Sequence, residues 1–133
     1  MTVEVRYYSR SGNTKLLAEA IAKSLNVNAI SVDVENSDIK NETDVLFVGG
    51  ALYAYGLDKR LKQYLDNIDG NKIKKAVVFS TSWLSKHSID LIKDSLVQKG
   101  IKVEEEYCYA KGKPSNNDLK EAEVFAKKMI GEE

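Results

Sequence analysis

The segment Ser9-Arg10-Ser11-Gly12-Asn13-Thr14 combines three hydroxyl side chains, an amide and a glycine near the start of the chain. Residues 3–8 before it predict a strand, and residues 15–25 after it predict a helix with apolar residues four positions apart. Such a turn directs unpaired backbone N–H groups and the positive end of a helix dipole at one point. Gly12 permits a positive φ or a close backbone approach. The segment therefore favours an anion, and a phosphate group suits its donors best.

A simpler interpretation of the same turn exists, because Ser or Thr before a helix often serves only as a cap. Gly-Asn is also a common turn pair, so capping and ligand binding both stay open on this segment alone. The segment is not a Walker loop, since it lacks the Gly-Lys-Ser/Thr ending. It is not the dinucleotide fingerprint either, since it contains a single glycine.

The segment resembles the phosphate loop of flavodoxins, whose pattern is Ser/Thr-x-Thr/Ser-Gly-x-Thr. The four defined positions of that pattern are occupied here by Ser9, Ser11, Gly12 and Thr14. The resemblance implies that residues 9–14 surround the 5′-phosphate of FMN with hydroxyl and backbone N–H groups. Arg10 occupies a free position of the pattern, one that often points to solvent, although its side chain is long enough to reach the phosphate.

Length and composition suggest a single cytoplasmic domain spanning residues 1–133. The chain is 43% hydrophobic and 30% charged, and its formal net charge of zero argues against a basic nucleic-acid binder. No apolar run approaches the roughly 20 residues of a membrane span. The first residues form a charged strand pattern and not a signal peptide. A single cysteine, Cys108, excludes an internal disulfide, and we expect it to be structural.

Five predicted strands alternate with helices, which indicates an α/β fold with a parallel sheet and helices on both faces. Continuous apolar runs at 45–48 and 76–79 predict buried strands, and alternating patterns at 29–34 and 101–109 predict edge strands. This favours the strand order 2-1-3-4-5 of the three-layer flavodoxin-like fold. Response regulators share that order but place acidic residues after the first strand, where this chain has serines.

The first strand carries charge on one face, which is unusual for an interior strand. Glu4 and Arg6 lie two positions apart on that face and could pair. Because the face is charged, we expect this end of the sheet to be thinly covered. Residues 35–42 have room for little more than one turn of helix.

Loops after the first, third and fourth strands open at the same edge of a parallel sheet. They are residues 9–14, 51–56 and 80–87, and the later two carry the aromatic side chains of Tyr53, Tyr55 and Trp83. A flat apolar ring with a phosphorylated tail, the shape of FMN, would satisfy all three loops. The predicted contacts outside the phosphate loop are Ala51, Leu52, Tyr53, Ala54, Tyr55, Gly56, Ser80, Thr81, Ser82 and Trp83.

The individual residues also have plainer interpretations. A loop tyrosine often packs only on the surface, and His87 is more typical of a helix start than of a catalyst. Trp83, in a polar run, is a stacking or partner-contact residue. The resemblance implies that Tyr53 or Tyr55 lies on one side of the flavin ring and Trp83 near the other. It also implies that a glycine-containing peptide, here Gly56–Leu57, flips so that its carbonyl accepts a hydrogen bond from flavin N5 in the one-electron-reduced state.

Three departures from the flavodoxin pattern bear on these expectations. The second loop is about two residues longer than in short bacterial flavodoxins, judged against ordinary loop lengths. The third loop lacks the glycines that usually flank its aromatic residue. Flavodoxins are typically acidic, and this chain is electrically balanced.

The favoured function is a monomeric FMN carrier that shuttles single electrons between redox partner proteins, with no catalytic residue, metal, nucleic acid or membrane. One alternative is a small FMN-dependent reductase that acts on a quinone or another small acceptor. A second alternative is a flavin-free interaction module on the same fold, in which the aromatic loops form a partner surface. Turnover with a soluble acceptor would favour the reductase, and failure to bind flavin would favour the module.

Overall fold

The computed structural model describes residues 1–54, 56–83 and 85–131 of the chain. Its strands are β1 (Val3–Tyr7), β2 (Ala29–Ser31), β3 (Thr43–Gly50), β4 (Leu52–Tyr53), β5 (Gly56–Leu57), β6 (Ile73–Thr81) and β7 (Lys102–Ala110). Five of them form a parallel sheet in the order β2-β1-β3-β6-β7, and β4 and β5 pair as a separate antiparallel hairpin. Counted without the hairpin, the sheet order is 2-1-3-4-5, which confirms the predicted order.

Four α-helices cover the two faces of the sheet: α1 (Asn13–Ser24), α2 (Lys59–Asp66), α3 (His87–Gln98) and α4 (Asn116–Met129). Helices α1 and α4 pack on one face, and α2 and α3 pack on the other, so the predicted three layers are confirmed. A short 3₁₀ turn at Gly70–Lys72 leads into β6. Within the described ranges, no helix has both the length and the apolar character needed to cross a membrane.

Alternation along the central strands divides the core into two clusters. In β3, Val45 and Phe47 face α1 and α4, while Leu46 and Val48 face α2 and α3. All four side chains are buried, as expected for a parallel strand covered on both faces. Burial of each such side chain contributes about 1.5–3 kcal/mol. The sheet is therefore a rigid support for the loops at its carboxyl edge.

The charged face of β1 forms the predicted ion pair, with Glu4 Oε2 3.0 Å from Arg6 Nη2. Arg6 is only 3% exposed, so the expectation of thin cover at this end of the sheet was wrong. The cover is a non-helical segment, residues 32–42, whose Ser37 carbonyl accepts a 2.6 Å hydrogen bond from Arg6 Nε. The hydroxyl of Tyr64 on α2 donates to the same carbonyl at 2.6 Å. Polar contacts replace the missing helix here.

Candidate cofactor-binding site

A cavity of about 800 Å³ lies at the carboxyl edge of the sheet, where the loops after β1, β3 and β6 meet. Its volume is in the range of small-molecule and cofactor sites. The structure thus brings the three predicted loops together. The lining residues are Ser11, Asn13, Ala51, Leu52, Tyr53, Ala54, Thr81, Ser82, Trp83, Ser85, His87 and Gly112.

The turn between β1 and α1 has the backbone geometry that the sequence predicts. Gly12 has φ 94° and is the cap residue of α1, so the helix begins without a capping side chain. Ser9 Oγ accepts a 3.0 Å hydrogen bond from the N–H of Gly12, and Ser11 Oγ accepts one of 3.3 Å from the N–H of Asn13. The N-cap residue of α1 is a glycine, so no N-cap hydroxyl caps this helix. The start of α1 opens toward the cavity, through Ser11 and Asn13 in its lining.

Thr14 and Ser80, both predicted to contact the cofactor, are engaged elsewhere. Thr14 is 1% exposed, and its Oγ1 lies 2.6 Å from Oγ1 of Thr81, so it joins the start of α1 to the end of β6. Ser80 is fully buried, donates to the Gly50 carbonyl at 2.6 Å and shares a 2.6 Å hydrogen bond with Ser88. The alternation of β6 directs Ser80 away from the cavity that Thr81 lines. Both hydroxyls hold the walls of the site.

Arg10 turns away from the phosphate turn and contacts the β4–β5 hairpin. Its Nε and Nη2 lie 2.8 Å and 2.7 Å from Oδ2 of Asp58, and its guanidinium lies 3.9 Å from the centroid of the Tyr53 ring. The backbone N–H of Arg10 also donates to the Tyr53 hydroxyl at 3.1 Å. These contacts join two loops, and we call them the Arg10–Tyr53–Asp58 latch. The predicted contact of Arg10 with a phosphate stays a prediction.

Comparison with known proteins identifies the family. The family model for the flavodoxin domain matches residues 4–111, which is most of the chain. The chain belongs to the flavodoxin family. An uncharacterized protein of Methanocaldococcus jannaschii is 28% identical over 136 residues, covering 89% of this chain and 90% of its own length.

Solved structures agree with that assignment. A flavodoxin from the domain Archaea is 25% identical with a TM-score of 0.84, covering 97% of this chain and 96% of its own. Oxidised flavodoxin 1 from Bacillus cereus is 19% identical with a TM-score of 0.80, covering 98% and 97%. Flavodoxins generally bind FMN and transfer electrons to redox partners. Family membership supports an FMN-type redox function in general.

The residues of this flavodoxin-family cavity fit FMN chemically. The lining combines hydroxyls and a helix start at one end with two aromatic rings, and none of its described residues carries a carboxylate. A phosphate dianion needs donors and no competing negative charge, and an isoalloxazine ring needs flat apolar walls. FMN, when bound, supplies one-electron chemistry, and the residues of the chain bind and orient it.

The β4–β5 hairpin replaces the irregular second loop that the sequence predicted. Tyr53 pairs with Gly56 across it, and Ala54 has φ 45° at its turn. Leu52, Tyr53 and Ala54 line the cavity, while Gly56 is not part of that lining. The predicted contact from Tyr55 falls outside the described residues. The predicted hydrogen bond from flavin N5 to the carbonyl of the Gly56–Leu57 peptide stays a prediction.

The latch perturbs the ionisation of two of its groups. Burial raises the pKa of Tyr53, against the opposing influence of the Arg10 N–H and its positive charge. Burial alone would also raise the pKa of Asp58, but hydrogen bonds from the Arg60 N–H and the Arg10 side chain, with both positive charges, lower that pKa overall. The Tyr53 hydroxyl is therefore neutral and the Asp58 carboxylate charged at neutral pH.

Trp83 stands against a glycine that sequence reasoning missed. Gly112 has φ 65°, and a Cβ built there would lie 2.3 Å from Cζ2 of the Trp83 ring. The ring is 64% exposed, so the contact with Gly112 positions an otherwise open wall. Ser85 and His87 also line the cavity without having been predicted as contacts. The available signal was a glycine between two lysines directly after the last strand.

We expect the Gly112→Ala variant to displace Trp83, because the new Cβ would overlap its ring. Trp83 is the single tryptophan, so its fluorescence maximum and quenching report the shift directly. Gly100→Ala is the matched control, since Gly100 has φ 78° and no atom within 4 Å of a built Cβ. Both variants should lose about 1 kcal/mol from strained φ. An unchanged Trp83 spectrum in Gly112→Ala would contradict the contact.

Cys108 behaves as the structural cysteine that the sequence predicted. Burial raises the pKa of its thiol to about 12, and the negative charges of Asp118 and Glu121 add to the effect. Because the thiolate is the reactive form, we expect negligible reaction with a disulfide reagent at pH 8 in the folded protein. The same reagent should react fully in denaturant. Rapid labelling of the native protein would contradict this environment.

Proposed function

We propose that this protein binds FMN non-covalently and, as a monomer in the cytoplasm, shuttles single electrons between redox partner proteins. One observation carries the proposal: a single cavity joins an uncapped helix start with hydroxyl groups to the aromatic walls at Tyr53 and Trp83. This combination suits a molecule with a phosphate at one end and a flat ring at the other.

Each part of the lining has a role in this proposal. The hydroxyl of Ser11, the amide of Asn13 and the N–H groups at the start of α1 bind the phosphate. The side chains of Tyr53 and Trp83 flank the flavin ring, and Thr81 and Ser82 contribute polar groups beside it. Tyr53 and His87 are the titratable side chains of the described lining. Burial raises the pKa of Tyr53, so its hydroxyl is neutral at neutral pH.

The test compares binding of FMN with binding of riboflavin, which has the same ring and no phosphate. Hydrogen bonds to a charged group contribute about 1.5–3 kcal/mol each, so we expect FMN to bind at least about tenfold more tightly. Absorbance and flavin fluorescence titrations measure both affinities. Equal affinities would contradict the role of the turn, and no flavin binding at all would leave the interaction module.

Matched serine variants separate the turn from the rest of the cavity. Ser11→Ala should weaken FMN binding about tenfold or more and leave riboflavin unchanged, because it removes a donor to the phosphate. Ser85→Ala is the control, since Ser85 lines the cavity at the start of α3 and its hydroxyl accepts from the His87 N–H at 3.0 Å. A second assay offers the loaded protein a soluble quinone: turnover without a partner protein would favour the reductase.

A further inference from the structure

The loops around the cavity are positively charged although the whole chain is neutral. Residues 8–12, 51–54, 56–57, 82–83, 85–86 and 111–115 frame the cavity and contain no Asp or Glu. Their charged residues are Arg10, Lys86, Lys111 and Lys113. Arg10 is neutralised by Asp58 in the latch, which leaves three lysines. We call Lys86, Lys111 and Lys113 the lysine rim.

Two lysines of the rim flank the glycine that touches the exposed ring of Trp83, and the third lies near it in the same loop. Lys111 and Lys113 are exposed and flank Gly112, which touches that ring. Lys86 follows Trp83 by three positions and lies over two aromatic rings, its Nζ 5.4 Å from the centroid of Tyr107 and 5.2 Å from that of Tyr109. Among the described residues, no rim lysine forms an ion pair.

Charged side chains of α3 and β7 also lie near the rim, and exposed Glu105, whose carbonyl accepts a hydrogen bond from Lys93 Nζ, opposes its charge. Lys93 of α3 adds to the charge of the rim, with Nζ 5.3 Å from the Tyr107 centroid, and exposed Asp90 on the same helix opposes it. Asp118, at the start of α4, is engaged in a capping box with Ser115. The exposed Trp83 ring lies near lysines that form no ion pair among the described residues. An aromatic side chain with charged residues at its periphery is typical of a protein docking surface.

We propose that the lysine rim and Trp83 dock a small acidic electron-transfer protein beside the cavity. The proposal rests on the proposed function, because the docked partner would exchange one electron with the flavin, one protein being oxidised as the other is reduced. Charge complementarity identifies the partner as acidic, since opposite potentials accelerate encounter and like charges suppress it. A basic partner would meet the same lysines as a barrier.

The test measures association directly, without electron transfer. The probe is a strongly acidic [2Fe–2S] ferredoxin substituted with gallium, titrated by calorimetry at low and at physiological ionic strength. We expect binding to weaken as salt is added, because the electrostatic screening length falls to about 8 Å at 0.15 M ionic strength. The triple variant Lys86→Glu, Lys111→Glu, Lys113→Glu should weaken it at least about tenfold, equivalent to 1.4 kcal/mol. The neutral triple to Gln should lie between.

A matched triple variant controls for net charge. Lys23, Lys102 and Lys127 are exposed and lie at the opposite edge, at the start of β7 and the ends of α1 and α4. Changing all three to Glu gives the same net charge and should leave binding nearly unchanged. Circular dichroism confirms that each triple is folded. Equal weakening by both triples would overturn the proposal.

A basic probe supplies the opposite arm. A basic cytochrome c should bind the native protein poorly at low salt and bind the Glu rim variant better. No association of the acidic probe at low salt would also overturn the docking proposal. Because the gallium probe needs no flavin, its result is separate from the FMN titration: failure to bind FMN tests the proposed function, and failure to bind the probe tests the rim.

Discussion

The Asp58→Ala variant is expected to lose about 2–3 kcal/mol in free energy of unfolding. The carboxylate is 5% exposed, accepts from the Arg60 N–H at 2.8 Å as the cap of α2, and pairs with Arg10 at 2.7 Å. Loss of an Asp cap costs about 1 kcal/mol, and loss of a charge-assisted hydrogen bond adds about 1.5 kcal/mol or more. Arg10 is half exposed, so water can resolvate its charge and the sum stays below that of a fully buried pair. Chemical denaturation measures the change.

Two variants separate the cap from the ion pair. Asp58→Asn keeps a good capping residue and removes the charge, so it should lose only about 1 kcal/mol. Arg10→Gln removes the cation that lies over Tyr53. Combining it with Asp58→Asn completes a double-mutant cycle, which measures the coupling energy between the two side chains. A coupling energy near zero would show that the latch contributes nothing beyond the cap. Weaker flavin binding should accompany Arg10→Gln, because Tyr53 loses its support.

Acidity should remove the contribution of the latch. The pKa of Asp58 is lowered in the folded protein, so the folded state holds a carboxylate that the unfolded state protonates more readily. The added stability is complete above the unfolded value of about 4 and disappears as pH falls through the lower folded value. The stability difference between native protein and Asp58→Asn should therefore shrink below about pH 4. A difference independent of pH would contradict the charged pair.

The sheet and its loops could be predicted because their signals are local. Apolar runs such as 45–48 mark strands buried on both faces, and the alternation of β1 placed Glu4 beside Arg6. Parallel topology then brings the carboxyl ends of the strands to one edge, which is why the cavity appears between the predicted loops. Periodicity and topology therefore predict the strands, their order and the place of the cavity without any knowledge of side-chain positions.

Three of the missed features depend on partners distant in sequence, and a fourth was missed for a local reason. Arg10 meets Asp58 48 positions away, and Thr14 meets Thr81 67 positions away, so no local pattern could reveal that these side chains face each other. The β4–β5 hairpin was missed because its two-residue strands are too short for a period-two pattern. Gly112 gains its meaning only from the Trp83 ring above it.

Gly49→Ala is expected to be the most disruptive single methyl addition in the sheet, with a loss of about 3 kcal/mol. A Cβ at Gly49 would lie 2.3 Å from the Phe79 ring and 2.6 Å from the Phe79 carbonyl oxygen. The ring is fully buried, and the carbonyl belongs to the neighbouring strand β6, so neither can move without disturbing the sheet. Thermal and denaturant unfolding measure the loss.

The adjacent glycine supplies the control. A Cβ at Gly50 would lie 2.4 Å from Cδ2 of Leu61, at the end of a side chain on α2. The nearest backbone atom, the carbonyl oxygen of Tyr8, would be 3.9 Å away. Only the tip of the buried Leu61 side chain obstructs the new methyl group, and no backbone atom does, so Gly50→Ala should cost less than Gly49→Ala, about 1–2 kcal/mol. Equal losses at both positions would contradict this distinction between backbone and side-chain obstacles.

A second substitution locates the obstacle at Gly49. Phe79→Ala removes every ring atom near the new methyl group, Cδ2 and Cε2 included, but leaves the Phe79 carbonyl in place. Measured against Phe79→Ala alone, the double variant should therefore recover only part of the loss, whereas full recovery would place the whole conflict in the ring. Partial recovery would mean that the backbone conflict persists and still distorts the end of β3. This matters for function, because β3 leads directly into the hairpin that carries Tyr53. A displaced end of β3 would move that aromatic wall and weaken flavin binding even where the protein stays folded.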